Sequence, residues 1–285
     1  MRPAPPPLRV LVAAVAAAMA VCLAAPVSAQ TADQTPAKTA DGQPDIQGFW
    51  ATDAYAADME TGLPDDETAT LQAQTVDRSK VVSLVVDPPD GLIPYRPWAA
   101  ARRLSIPTFR RGETSRGTPA TVRDIRPRTF CLHGTPRNMV TDFQVVQTPG
   151  HLIMMWEFNH AYRVIRLGGA PLLPAAVKLA MGDSRGRWEG NTFVVETSNL
   201  NDWDWFDYTG TFHSGAMTLV ERFTIADAKT IRCRATVTDP IVFTRPWTYA
   251  VEFKRTRMPG DGYELLEHAC VEGERGVKAL LEEAK

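Results

Sequence analysis

From residue 142 to residue 271 the chain is cut by turn residues into strand-length pieces, several of which alternate apolar and polar side chains. In 216–225, Met217, Leu219, Phe223 and Ile225 share one side, and Thr218, Val220, Arg222 and Thr224 share the other. The next piece, 230–238, puts Ile231, Cys233, Ala235 and Val237 opposite Arg232, Arg234, Thr236 and Thr238. Residues 247–255 alternate Trp247, Tyr249, Val251 and Phe253 with Thr248, Ala250, Glu252 and Lys254. Successive side chains on a strand point to opposite faces, so this pattern buries its apolar groups only as a sheet with one wet face. Glu221 breaks the pattern, because it falls on the apolar side.

The spacing predicts a series of hairpins. Strands are expected at 143–147, 152–158, 161–167, 185–188, 192–197, 216–225, 230–238, 247–255 and 263–271. The turns between them carry Thr148-Pro149-Gly150, Asn159-His160, Glu189-Gly190-Asn191 and Ala226-Asp227-Ala228-Lys229. Asn and Gly tolerate the positive φ that tight hairpins need. Short strands at this density predict an all-β fold, an antiparallel barrel or sandwich. Short helices are expected near 67–73, within 171–181 after Pro174, and from about Glu274 to the C-terminus. Residues 81–86 form a β-branched run ended by Pro88-Pro89. Between 101 and 130 stand Arg102, Arg103, Arg110, Arg111, Arg116, Arg123, Arg126 and Arg128, against only Glu113 and Asp124. This segment reads as an Arg-rich arm or lid, or as a solvated loop pairing with the acidic stretch at 51–80.

The N-terminus predicts export. Arg2 and Arg9 precede an uncharged apolar run at 10–25, and Val27-Ser28-Ala29 offers small residues for cleavage before Gln30. The domain plan is therefore a signal peptide (1–29), a disordered polar linker (30–44) and a single β domain (45–285). A lipid anchor at Cys22 is the rival, although Val21 is a poor neighbour for it. Removing Arg2 and Arg9 with the leader takes the formal charge from −2 to −4, which argues against a nucleic-acid partner. No further long apolar run follows, so no stable membrane insertion is expected after cleavage, and the location is periplasmic or secreted. Three cysteines remain in the mature chain. Cys131 and Cys270 flank the β-rich region and are the expected disulfide, and Cys233 sits on the apolar strand face as a buried thiol. Three reduced thiols are the alternative.

Two resemblances follow from particular residues. Gly48-Phe49-Trp50, followed by a meander and an Arg at a late strand end (Arg255 or Arg257), resembles the lipocalin-like barrel superfamily. That resemblance implies a Trp packed at the closed barrel end beneath an Arg. The wider one rests on 94–99, Cys131 to Arg137, the run Met181-Gly182-Asp183-Ser184-Arg185-Gly186-Arg187-Trp188-Glu189-Gly190, His213-Ser214, 220–223, 238–240 and 245–248. Through these the chain resembles a large group of uncharacterised secreted bacterial proteins. The likeness implies secretion and a single domain, and carries no activity.

Few residues are placed to do chemistry. A carboxylate on an apolar strand face loses hydration, so Glu221 is the candidate general acid or base. The competing reading is a buried ion pair with Arg163 or Arg222 that only supports the barrel. His213 is a candidate shuttle. It lies eight residues before Glu221, roughly 26 Å along a straight strand, and could approach only through a bend at Gly215. Tyr162 is a candidate proton-abstracting group, and Arg163 either an anion clamp or a stack on Trp156. Trp203 and Trp205 in Asn201-Asp202-Trp203-Asp204-Trp205-Phe206-Asp207 suggest a ligand platform or a cap; Arg222 and Trp247 complete the candidate ligand contacts. The three Asp of that run lack the glycine and distal Glu of a cation loop, so no metal is expected. Zinc spacing, phosphate loops, nucleophile elbows and dinucleotide fingerprints are missing from the sequence, so no cofactor is expected. The expectation is an exported lipocalin-like barrel taking a small amphipathic molecule inside. It would act either as a cofactor-free acid/base lyase, isomerase or hydrolase, or as a binding or carrier protein without turnover.

Overall fold

Alternating strands with one apolar face have an edge problem, which closure into a barrel removes. The computed structural model describes residues 37–52, 58–60, 83–106, 108–110, 113–116, 121, 124–125, 130–132, 134–138, 142–169, 171–207, 209–258 and 260–266. Within them run β1 (Gly48–Ala51), β2 (Val85–Asp87), α1 (Pro97–Ser105), β3 (Thr108–Arg110), β4 (Glu113–Arg116), β5 (Phe143–Thr148), β6 (His151–Trp156), β7 (Tyr162–Arg166), β8 (Asp183–Glu189), β9 (Thr192–Ser198), β10 (Thr218–Asp227), β11 (Thr230–Thr238) and β12 (Trp247–Arg257). The strands β5 to β12 pair in sequence order, and β1 joins β5 to β12 and closes the ring. The long β12 holds β1 with its last residues, Lys254 to Arg257, and β2 with Thr248 and Tyr249. The predicted turns are in place: Asn159 and His160 both take positive φ (54° and 49°).

The barrel departs from the antiparallel expectation at one seam. β7 and β8 run parallel, paired only as Ile165↔Ser184 and Arg166↔Arg185. A parallel pair needs a crossover, and residues 167–182 supply it without the expected helix. The crossover starts beside the β5–β6 turn, where Leu167 N–H donates to Gly150 O (2.8 Å), and ends at the Leu179–Leu200 bridge. Asn199 Nδ2 donates to Leu173 O and Pro174 O, and Leu173 N–H donates to Asp183 Oδ2. Two prolines and these side-chain ties hold the segment irregular, with isolated turns such as Val177 N–H to Pro174 O (2.9 Å) in place of a helix.

The Arg-rich stretch is likewise not an extended arm throughout. Pro97 opens α1 at a position that tolerates a missing N–H, and Ile106, the residue before Pro107, is extended and ends it. Arg103 on that helix bonds Glu60 Oε2 (2.5 Å) and lies near Asp58 (3.4 Å), so the pairing with the preceding acidic stretch is real at this residue. Arg102 pairs with Asp124 at 2.9 Å. β3 and β4 form a separate two-stranded ribbon. Residues 37–44, assigned by composition to a disordered linker, close a tight turn. Thr39 N–H donates to Gln43 O, Asp45 N–H to Ala37 O, and Gln43 Oε1 accepts Trp188 Nε1–H. The leader, residues 30–36, the helix expected at 67–73, Cys270 and the C-terminal helix lie outside the described residues. So does most of the strand expected at 263–271, of which 263–266 is irregular.

The inward residues of β10, β11 and β12 are those the alternation assigned, including Glu221. At β1, Trp50 is buried, its Nε1–H donates to Ile46 O (2.9 Å), and Arg255 lies over its ring at 4.4 Å. The two ends of the barrel differ. One carries the short turns at 149–150, 190–191 and 228–229. The other collects the described residues of the longer connections: 58–60, α1, 130–132 and 134–138, 157–161, 199–207 and 209–217, and 239–246.

Candidate functional site

The polar groups of the barrel interior form one chain across four consecutive strands. Arg163 on β7 donates through Nε to Ser184 Oγ on β8 (3.0 Å) and through Nη2 to Thr197 Oγ1 on β9 (2.6 Å). The same Nη2 reaches Glu221 Oε2 on β10 at 2.5 Å. Arg163 is 3 % and Glu221 5 % exposed. Burial and the Glu221 charge push the neighbouring Tyr249 hydroxyl and Cys233 thiol well above their ordinary pKa. The cavity these groups line holds about 30 Å³, room for little more than a water. Glu221 thus has the Arg163 partner considered from the sequence, beside a cavity of about 30 Å³.

The other candidates scatter. Tyr162 is 62 % exposed on the outer face of β7, because alternation that turns Arg163 inward turns its neighbour outward. Arg222 is on the outer face of β10 and pairs with Glu189 at 2.5 Å. Trp247 is fully buried among Phe206, Phe243 and Tyr249, a core position. Arg163 turns its guanidinium to Ser184, Thr197 and Glu221 through hydrogen bonds, where the sequence had also allowed a stack on Trp156.

Ligand-sized space lies at the end with the long connections. A cavity of about 600 Å³ is walled by Trp98, Arg102 and Ile106 of the α1 region, Ile125, Phe130 and Leu132, Asp202, Trp203 and Trp205, Phe212, His213 and Ser214, and Val242. That volume and mostly apolar, aromatic lining suit a drug-sized organic molecule. Trp203 and Trp205 reach the same cavity, Trp203 exposed and Trp205 buried, with Trp205 bridged to Phe212. His213 is the third sequence candidate here. A turn at Gly215-Ala216 precedes β10, so His213 and Glu221 line separate cavities.

The carboxylates of this region organise the loops. Asp239 accepts from Ser214 N–H (2.6 Å), Ser214 Oγ–H (2.9 Å), Ile241 N–H and Val242 N–H. Asp207 accepts from Met59 N–H and from the backbone and hydroxyls of Thr209 and Thr211. Asp204 accepts Thr135 N–H at 2.8 Å. Among the described residues no cluster of three or more His, Cys, Asp or Glu could hold a metal ion. His213 is 2 % exposed, with Nδ1 at 3.1 Å from Ser214 O and Phe206 against its ring. Burial lowers its pKa, against the upward pull of the Ser214 carbonyl and of Asp204, Asp239 and Asp202.

No family model, curated protein or solved structure matches the chain. The residues themselves therefore carry the assignment. The run from Gly182 to Gly190 lies at the β7–β8 seam and the β8–β9 turn, away from the large cavity. Gly182 has φ +66°, and a Cβ there would stand 2.5 Å from Thr197 Cγ2 and 2.7 Å from Ser198 O. A Cβ on Gly186 would meet Phe193 and Ile165 at 2.5 and 2.8 Å. Sequence reasoning missed Trp98, Ile106, Ile125, Phe130, Leu132, Phe212 and Val242 as cavity walls. Trp98 and Cys131–Arg137 stood in the segments that carried the secreted-group resemblance, which was the only signal available for them.

Proposed function

We propose that this protein is an exported barrel that binds a small amphipathic molecule in the cavity beneath α1, as a binding or carrier protein. The observation that carries this reading is the contrast between about 600 Å³ of aromatic-lined space at the loop end and about 30 Å³ beside Glu221. The apolar walls would take the body of the ligand, and Arg102, Asp202, His213 and Ser214 its polar part. A lipocalin-like assignment accompanies it, supported by Trp50 beneath Arg255. Lipocalins close eight strands; the parallel seam and the ninth strand set this barrel apart. Export to the periplasm or medium, with the mature chain beginning at Gln30, belongs to the same proposal. So does a Cys131–Cys270 bridge, with which the buried free thiol of Cys233 is consistent. Non-reducing peptide mapping and N-terminal sequencing of the periplasmic fraction check both.

The acid/base enzyme remains a second reading only at His213, among the described residues the one buried titratable side chain lining the large cavity. The test uses N-phenyl-1-naphthylamine, a fluorescent amphipathic probe. Binding is expected, and Trp203→Ala should weaken it about fivefold or more by removing one aromatic wall. Arg222→Ala, on the outer face, should leave it unchanged. Absence of binding, or binding insensitive to Trp203, would refute the cavity as the site.

A further inference from the structure

The carbonyl oxygen of Ser214 can only accept a hydrogen bond. Its contact with His213 Nδ1 at 3.1 Å therefore requires the proton on Nδ1. The other ring nitrogen, Nε2, is then a bare acceptor. It is buried and has no hydrogen-bond partner among the described residues. A buried polar atom without a partner is uncommon, and at a cavity wall it is an acceptor that a bound donor could satisfy. The carbonyl is not free to turn away. Asp239 grips Ser214 through its N–H and its hydroxyl, and fixes the neighbouring loop through Ile241 and Val242 N–H. The imidazole is thus held in one tautomer at a wall of the large cavity.

We infer that the ligand of this cavity is an aromatic or similarly flat apolar molecule bearing a hydroxyl or N–H group, which donates its hydrogen to His213 Nε2. The inference rests on the cavity reading and narrows it to a ligand class. The rings of Trp98, Trp203, Trp205 and Phe212 supply the flat apolar walls. The cation at the rim, Arg102, is already paired with Asp124. Asp202 at the rim is an acceptor, which again favours a donor-bearing ligand over an anionic one. A site with a fixed buried acceptor discriminates strongly, because an analogue lacking the donor leaves that acceptor unpaired.

The experiment compares 2-naphthol with 2-methoxynaphthalene, which keeps the rings and the oxygen and loses the donor. Tryptophan fluorescence quenching gives both affinities for the intact mature protein and for His213→Phe and His213→Gln. The naphthol should bind about tenfold tighter or more to the native protein, and the difference should vanish in His213→Phe. His213→Gln can turn its carbonyl toward the ligand and should retain part of it. Equal affinities for the two probes would overturn the donor inference and leave the cavity reading standing. Binding of neither probe would overturn both. Nitrogen-15 NMR of the imidazole at neutral pH gives a readout that needs no ligand and no variant. Protonated Nδ1 with bare Nε2 is expected, and a proton on Nε2 would overturn the inference.

Discussion

Glu221→Gln is the most informative perturbation of the barrel interior. The variant keeps the shape of the side chain and deletes the charge that faces Arg163 at 2.5 Å. Arg163, almost wholly buried, keeps Ser184 Oγ and Thr197 Oγ1 as acceptors, and its charge is left uncompensated. Breaking a buried pair from one side costs about 3–5 kcal/mol. The glutamine carbonyl still accepts one bond, which places the expectation near the lower end, about 3 kcal/mol. For a domain of this size that is a fall in Tm of about 6–12 °C. The double variant Arg163→Met, Glu221→Leu removes both charges and leaves Ser184 Oγ and Thr197 Oγ1 bonded to each other at 3.0 Å. It should therefore be more stable than Glu221→Gln, since apolar replacement of a buried pair is often neutral or stabilising. Urea unfolding followed by tryptophan fluorescence gives the midpoint and slope for each form. N-phenyl-1-naphthylamine binding, measured on the same samples, should be retained, because Glu221 lines a different cavity. A Glu221→Gln variant within about 0.5 kcal/mol of the native protein, or a double variant less stable than the single one, would refute the ion-pair account. Loss of turnover or of ligand with stability intact would return Glu221 to the functional site.

Trp50→Ala should cost about 3–5 kcal/mol by deleting a large buried side chain; it also removes the ring beneath Arg255, and a change within about 0.5 kcal/mol in urea unfolding would place Trp50 outside the core. Gly182→Ala should cost at least about 1–3 kcal/mol more than Gly190→Ala. Both have positive φ, but only at Gly182 does the new Cβ strike backbone, Ser198 O at 2.7 Å; equal costs would refute the close-contact argument. His213, whose folded pKa burial holds below the ordinary 6.5, binds fewer protons folded than unfolded. Its contribution to stability is full above pH 6.5 and is lost as pH falls below it, by at most about 1.4 kcal/mol between pH 7.5 and 5.5. His213→Phe should shrink that loss, and an unchanged loss would show that His213 is not its source.

The barrel was legible because a period of two is a local property. Met217, Leu219, Phe223, Ile231, Cys233 and Val237 announce their face without knowledge of their partners, and Glu221 announces itself as the exception among them. The tight turns were legible for the same reason, since Asn159 and Gly190 need no distant contact to favour positive φ. The crossover was not. Its apolar residues between Pro171 and Leu179 suit a short helix, and what ties them into an irregular path is Asn199 and Asp183, supplied from 10 or more residues away. The cavity was least legible of all. Trp98, Phe130, Trp205 and Val242 come from segments far apart in the chain and meet only once the barrel is closed. Strand arithmetic kept His213 far from Glu221 unless the chain bent at Gly215; the chain does turn at Gly215-Ala216, and His213 lines the other cavity.

The seam between β7 and β8 ties these observations together. The antiparallel pairs that close this barrel share from three register positions (β1 with β5 and with β12) to nine (β10 with β11), whereas β7 and β8 share two. A contact that short would be the weak point of the ring, and the side chains of the Gly182–Gly190 run reinforce it on both faces. Inside, Ser184 accepts from Arg163 and bonds Thr197, while Arg163 itself carries the chain on to Glu221. Outside, Asp183 bonds Arg166 of β7 at 2.7 Å and Arg185 of β8 at 2.5 Å, and accepts Leu173 N–H of the crossover. Burial alone would raise the Asp183 carboxyl; the bonds from Arg185, Leu173 and Arg166 outweigh it and hold its pKa below the usual range. The small residue at Gly186 lets Phe193 and Ile165 close over the same seam. The most distinctive stretch of the sequence is thus explained by closure of the ring. Glu221 is tied to that same interior chain through Arg163, whereas His213 lines the larger cavity among the loops.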